Sequence, residues 1–143
     1  MTAAIMANAE TMFDQAIARY KDGEAPAELI PVFQDICNSA PKSSPAWTCL
    51  AWLYLLVDKP TAALKAAQKA SKLNPEDPQA RVNLVLAMLA TKQKGVRPHV
   101  ELISHIISAV AELRQEVQEN LADGLVRKPG WPEVIRLQNW LFE

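Results

Sequence analysis

SPAWTCLAWLYLLVDKPTAALKAAQKASKLNP, residues 44–75, holds two helical patterns separated by a proline. Its core, AWTCLAWLYLLV (46–57), is too short to cross a bilayer, which takes about 20 apolar residues. It is also too apolar for a surface helix with one polar face, because only Thr48 is hydrophilic. A second element must therefore cover its second face. Ser44-Pro45 supplies a capping side chain and a first-turn proline whose missing N–H costs nothing. Pro60 opens the next helical pattern.

The same punctuation recurs along the chain. Asp77-Pro78 precedes QARVNLVLAMLA (79–90), and Pro98 and Pro132 read as first-turn prolines of two further helices. Asp22-Gly23 and Asp123-Gly124 follow helical patterns, where glycine serves as a stop. Sustained alternation and Asn-Gly or Asp-Gly hairpins are absent. The pattern predicts seven helices over about 3–21, 26–39, 45–57, 60–73, 78–92, 98–122 and 132–142. Pro31 is expected to weaken or bend the second.

Trp47, Leu50, Ala51 and Tyr54 in one helix are followed by Ala63, Ala67, Ala70 and Pro75 in the next. This resembles the tetratricopeptide repeat, W-x2-L-G-x2-Y, A-x3-F and P over about 34 residues. Ala51 replaces the Gly and Ala67 the Phe. One repeat earlier stand Phe13, Ala16, Ile17 and Tyr20, then Leu29, Phe33, Ile36 and Pro41. One repeat later stand Arg81, Leu84, Val85 and Met88, with only the Trp position departing. Beyond that the register fails, since TKQKGVRP (91–98) makes a longer turn that delays the partner helix. The resemblance implies an all-α, tetratricopeptide-type helix-hairpin solenoid, a right-handed superhelix with a C-terminal capping helix. A single domain over 1–143 would hold units at about 10–43, 44–77 and 78–111, then the end of a long helix and a terminal helix over 112–143.

Composition agrees. The chain has 143 residues, half of them hydrophobic and 22% charged, with four glycines, which suits one helical globular domain. Lys and Arg number 15 against 16 acidic residues, so charge gives no pull towards nucleic acid or an anionic membrane. No window is apolar enough to span a membrane, and MTAAIMANAE lacks the basic start of a secretory signal. A cytoplasmic protein is expected, peripheral at a membrane only through a partner. Cys37 and Cys49 read as buried free thiols. His99 and His105, six apart, have no metal set around them.

Trp47, Leu50, Ala51 and Tyr54 form the repeat core stripe. Thr48, Trp52, Leu55 and Leu56 lie on another, roughly a third of a turn away. In tetratricopeptide arrays the first helix of each pair lines a concave groove, and the resemblance puts this second stripe there. Its counterparts are Val82, Leu86, Leu89 and Ala90, with Asn83 beside them, and Asp14, Ala18, Lys21 and Asp22 in the first unit. The groove is expected to be polar at its N-terminal end and apolar beyond, and such patches mark interaction sites. Trp52, Leu55, Leu56, Val82, Asn83, Leu86 and Leu89 are the candidate partner-binding residues. The expected guest is an apolar helix or extended segment of another protein. Family domains that grip the C-terminal carboxylate of heat-shock chaperones place Lys, Arg and Asn along this groove. Here Asp14, Thr48 and Val82, and Gln15, Cys49 and Asn83, stand at those positions, and only Asn83 fits.

The terminal helix, WPEVIRLQNWLFE (131–143), carries Val134, Leu137 and Leu141 on one stripe and is expected to cap the solenoid's open end. Filling the groove or docking elsewhere are its alternatives. Ile103, Ile106, Val110, Leu113 and Val117 make a near-heptad stripe on the long helix, the basis of an alternative as a self-associating subunit, a homodimer. No phosphate loop or nucleophile setting is present, so no enzyme activity and no cofactor is implied. Glu112, Glu116 and Glu119 read as a solvated face, as do Lys59, Lys65, Lys69 and Lys72 on the convex side. Small tetratricopeptide adaptors and assembly chaperones, including those serving membrane-complex subunits, are the roles the resemblance suggests.

Overall fold

The computed structural model describes residues 3–143, with side chains from residue 8 onward; the first two residues of the N-terminal stretch read above for a signal lie outside it. Eight helices account for the described residues: α1 (Ala3–Lys21), α2 (Pro26–Ser39), α3 (Ser44–Leu56), α4 (Pro60–Leu73), α5 (Pro78–Ala90), α6 (Val96–Ala109), α7 (Ala111–Arg127) and α8 (Pro132–Phe142). Successive helices pack as antiparallel hairpins, and α3 also packs on α5 across one repeat.

Local chemistry sets these boundaries. Ser43, one residue earlier than expected, caps α3 by accepting from the Ala46 N–H at 3.3 Å. Asp77 caps α5 by accepting from the Gln79 N–H at 3.0 Å. Ser44 is buried and donates to the Ala70 carbonyl at 3.3 Å, tying α3 to α4. Gly23, at φ +91°, stops α1, because only glycine enters the left-handed region without steric cost. Pro31 lies inside α2, which continues through it.

The repeat is visible in the backbone. Helices α2 and α4 begin at residues 26 and 60, and α3 and α5 at 44 and 78, both pairs 34 apart. The turns behind α3 and α5 are copies. Asp58 and Lys92 both adopt positive φ, 59° and 57°. The next amides, Lys59 and Gln93, donate to Tyr54 O at 2.9 Å and Met88 O at 2.8 Å. The longer turn after α5 delays α6 to residue 96.

The expected long helix is instead two. Val110 takes an extended conformation (φ −130°, ψ 105°) between α6 and α7. A straight helix would carry residues 111–127 about 25 Å into solvent. Breaking at Val110 folds that segment back, so that Val117, Leu121 and Gly124 are buried against the array. The near-heptad stripe is split by the break, and its Ile103 and Val117 belong to the internal core. The seam proposed for a homodimer through this helix is therefore absent. Gly124 ends no helix: it sits inside α7.

Two apolar clusters result. One, between the first two hairpins, centres on Leu29, Phe33, Ile36, Leu50 and Leu53. The other joins Trp52, Val82, Val85 and Leu86 to Ile103, Ile107, Val117, Leu121 and Trp131. Helix α8 packs on α5, α6 and α7 and buries Val134, Leu137 and Leu141, so it caps the end of the array.

Candidate functional site

The second face of α3 is covered by this chain's own α5, by the Trp131 indole and by α7, whose Gly124 lies against Trp52. Val82, Asn83 and Leu86 are 0% exposed, Leu55 3% and Trp52 9%. Leu56 and Leu89 are half-buried against the same cluster. The open trough expected over the second and third hairpins is thus filled, which corrects the reading of these side chains as a free docking face. The covering is close. A Cβ built on Gly124 would lie 2.9 Å from Trp52 Cη2 and 3.2 Å from Trp131 Cζ3, so only glycine lets α7 approach this far. The two indoles pack with ring centroids 5.4 Å apart at an interplanar angle of 42°.

Polar contacts hold α7 in register. Trp52 Nε1 donates to the Tyr20 hydroxyl at 2.8 Å, which donates to Asp123 Oδ2 at 2.5 Å. Arg127 donates to Asp123 at 3.1 Å and to the Tyr20 carbonyl at 2.9 Å, and stacks 3.7 Å above the Tyr20 ring. Burial, then the hydrogen bond to Asp123, pushes the Tyr20 hydroxyl well above the usual tyrosine range, so it stays a donor. A second chain of bonds crosses the array. Asn120 Nδ2 donates to Gln79 Oε1 at 3.0 Å, Gln79 Nε2 to Asn83 Oδ1 at 2.8 Å, and Asn83 Nδ2 to the Thr48 carbonyl at 2.9 Å. Asn83 is a buried, satisfied strut between α3 and α5. At the C-terminal end of α3, Lys128 Nζ reaches the Leu55 carbonyl at 3.0 Å and Asp58 at 2.6 Å.

What α7 leaves open lies towards the first hairpin. A hollow of about 420 Å³ opens between α1, α3, α5 and α7. Ile17, Phe33, Cys49, Trp52 and Leu53 form its apolar floor, and Lys21, Glu119, Asn120 and Asp123 stand among its polar walls. Of the predicted site residues only Trp52 and Asn83 border it. Residues from α7 were not expected here, because their run of Glu, Gln and Asn reads as a solvated face. Burial pushes the Cys37 and Cys49 thiols up to about 12, so both stay protonated. Both are free. Among the described residues, no group of three or more His, Cys, Asp or Glu could hold a metal ion, and no helix is long and apolar enough to cross a membrane.

Helical hairpins whose helices recur every 34 residues from α2 to α5 have structural counterparts. A structure described as the first TPR of Spaghetti (RPAP3) bound to HSP90 peptide SRMEEVD matches over 92% of this chain and 89% of its own, with a TM-score of 0.57 at 16% identity. The crystal structure of MamA matches over 94% of this chain and 76% of its own, with a TM-score of 0.61 at 19% identity. The fold is that of a tetratricopeptide-repeat array. No protein-family model and no curated protein sequence matches the chain. The 34-residue register explains why Trp52 and Leu86 stand at equivalent positions of α3 and α5. It does not predict α7, which this chain lays against Trp52.

Proposed function

We propose that this chain is a tetratricopeptide interaction module, an adaptor or assembly chaperone, whose docking site is the hollow beside Trp52. The guest is a short apolar segment of another protein. Its side chains settle on Ile17, Phe33 and Leu53, and its backbone meets the polar rim of Glu119 and Asn120. The observation that carries this reading is the hollow itself: it is a stretch of concave face bordered by Trp52 that α7 leaves open, and it pairs an apolar floor with a few polar groups. The likeness to a tetratricopeptide domain described as bound to a peptide supports a peptide guest. An acidic tail is disfavoured. Glu119 and Asp123 line the hollow beside Lys21 and Arg127, so its lining has no excess of positive charge, and Asp14, Thr48, Val82, Gln15 and Cys49 supply no cation at the positions a carboxylate clamp uses.

Ile17 tests the reading because it is half-buried and lines the hollow without belonging to the α7 contacts. Ile17→Glu is expected to keep wild-type helicity by circular dichroism and to lose the partners captured from the native host, compared by quantitative mass spectrometry. Leu102→Glu, at an exposed position on α6, should capture them as the wild type does. An Ile17→Glu profile identical to wild type would remove the hollow as the site.

A further inference from the structure

The one departure in the first helix of the third unit, Arg81 at the Trp position, creates a feature away from the concave face. Trp47 Nε1 donates to the Pro41 carbonyl at 2.9 Å. One repeat later, Arg81 Nη2 donates to the Pro75 carbonyl at 3.2 Å. Arginine thus reproduces the structural bond of the tryptophan and adds a charge that the fold does not need. That charge faces a second hollow, of about 480 Å³, in the seam between α4, α5 and the start of α6.

The polar groups around this hollow all suit an anion. Gln68, Ser71, Lys72, Arg81, Gln93 and His99 line it, and no lining residue is acidic. No carboxylate forms an ion pair with Arg81 or Lys72 among the described residues. Two donors are buried without a partner, Ser71 Oγ and Arg81 Nε, and Ser71 itself is 8% exposed. Unmatched buried donors carry a free-energy cost that an acceptor would remove. Arg81 Nη1 donates to His99 Nδ1 at 2.8 Å, so the ring accepts there and is neutral. Burial and the Arg81 charge hold His99 below the usual histidine range. An anion beside Arg81 would reverse the second of these effects.

We propose that this seam is a binding site for a phosphate group, held by Arg81, Lys72 and Ser71 with His99 beside it. Phosphate matches the site because it offers several acceptor oxygens and up to two charges to a fan of donors. Its source is either the free ion or a phosphorylated side chain of a bound peptide. The site lies on different elements from the hollow beside Trp52, so the two readings stand or fall separately.

The test is an NMR titration of the His99 ring in the full chain. Inorganic phosphate and a phosphoserine peptide without other charges are each compared with sodium chloride at matched ionic strength. Phosphate is expected to raise the His99 midpoint by about one pH unit over chloride. A shift with inorganic phosphate identifies the free ion as a sufficient ligand. A shift with the phosphopeptide alone identifies a modified side chain. Arg81→Trp restores the repeat residue and its bond to the Pro75 carbonyl, so it should fold while losing the shift; Ser71→Ala should weaken binding several-fold. Equal midpoints in phosphopeptide, phosphate and chloride, or an undiminished shift in Arg81→Trp, would overturn the proposal.

Discussion

Gly124→Ala isolates the contact that closes the groove, because two effects of opposite sign meet at one atom. In an ordinary exposed helix interior, alanine is more stable than glycine by about 1 kcal/mol. Here the new Cβ would sit 2.9 Å from Trp52 Cη2, 3.1 Å from Trp52 Cζ2 and 3.2 Å from Trp131 Cζ3. Carbon atoms rest at about 3.5–4.0 Å, so the rings must retreat by roughly half an ångström or more. Neither can do so freely. Trp52 is tied through Nε1 to Tyr20, and Trp131 packs against its other neighbours in the core. Overpacking of this kind costs about 1–3 kcal/mol. The net expectation is a loss of about 1 kcal/mol, read as a Tm lower by about 3 °C in a chain of this size. Thermal and urea unfolding, followed by circular dichroism, measure it. The paired experiment uses Trp52→Phe, whose smaller ring does not reach the Cη2 and Cζ2 positions. In that background only the 3.2 Å approach to Trp131 Cζ3 remains, so Gly124→Ala should cost less than in the wild type by about 0.5–1 kcal/mol, and the double-mutant cycle gives the coupling. A Gly124→Ala protein more stable than wild type would show that α7 does not pack on Trp52 as described.

Leu86→Ala should cost about 2–5 kcal/mol, the range for a leucine deleted from a closed core, because Leu86 is 0% exposed. An effect below about 1 kcal/mol in urea unfolding would instead fit a surface residue on an open groove. The thiols give a pH test. Cys37 and Cys49 titrate at about 12 in the fold against 9.0 for a free thiol, so they contribute stability below pH 9 that is lost as pH rises towards 12. Wild type should therefore lose more stability between pH 8 and 10.5 than Cys37→Ala/Cys49→Ala, and parallel profiles would contradict the assignment. At pH 8 the native thiols should also react with a disulfide reagent about a thousandfold more slowly than in urea, and equal rates would count against burial.

The hairpins were legible in the sequence because their ends are written in short-range chemistry. Asp77-Pro78, Pro60 and Gly23 each act on backbone groups within a few residues, and the structure places helix ends at all three. Of the core stripe Trp47, Leu50, Ala51 and Tyr54, periodicity placed Leu50 and Ala51 in the buried interior and Trp47 and Tyr54 half-buried at its edge, and the small residues that the repeat sets opposite them, Ala63, Ala67 and Ala70, are buried. The break at Val110 left no such mark. It has no glycine or proline and no side-chain cap, and its neighbours are good helix formers. Its cause is tertiary: the segment gains by returning to the array. Gly124 was misread for the same reason. A glycine after an aspartate looks like a stop, and only the position of Trp52, more than seventy residues away, reveals a close approach. The polar run of α7 hid the groove's occupant. Only Val117, Leu121 and Gly124 are buried on it, too few to stand out as a core helix.

That composition also decides what α7 is. A displaceable guest would leave behind a groove able to stand in water, but removing α7 would uncover the Trp52 ring where Gly124 meets it and take Val117 and Leu121 out of the cluster that holds Leu55, Val82 and Leu86. Unburying Val117 and Leu121 alone costs about 1.5–3 kcal/mol each, a large share of a domain's stability. The polar contacts add to this. Freed from Asn120, Gln79 would lose its acceptor's partner, and Tyr20, its hydroxyl bonded to Asp123, would be left with one fewer bond in a half-buried site. Helix α7 is therefore a structural wall of the array. On the docking proposed above, a partner would meet the concave face as α7 leaves it, at the hollow between Ile17, Phe33 and Trp52, so that the geometry of α7, and not the repeat alone, would set what binds.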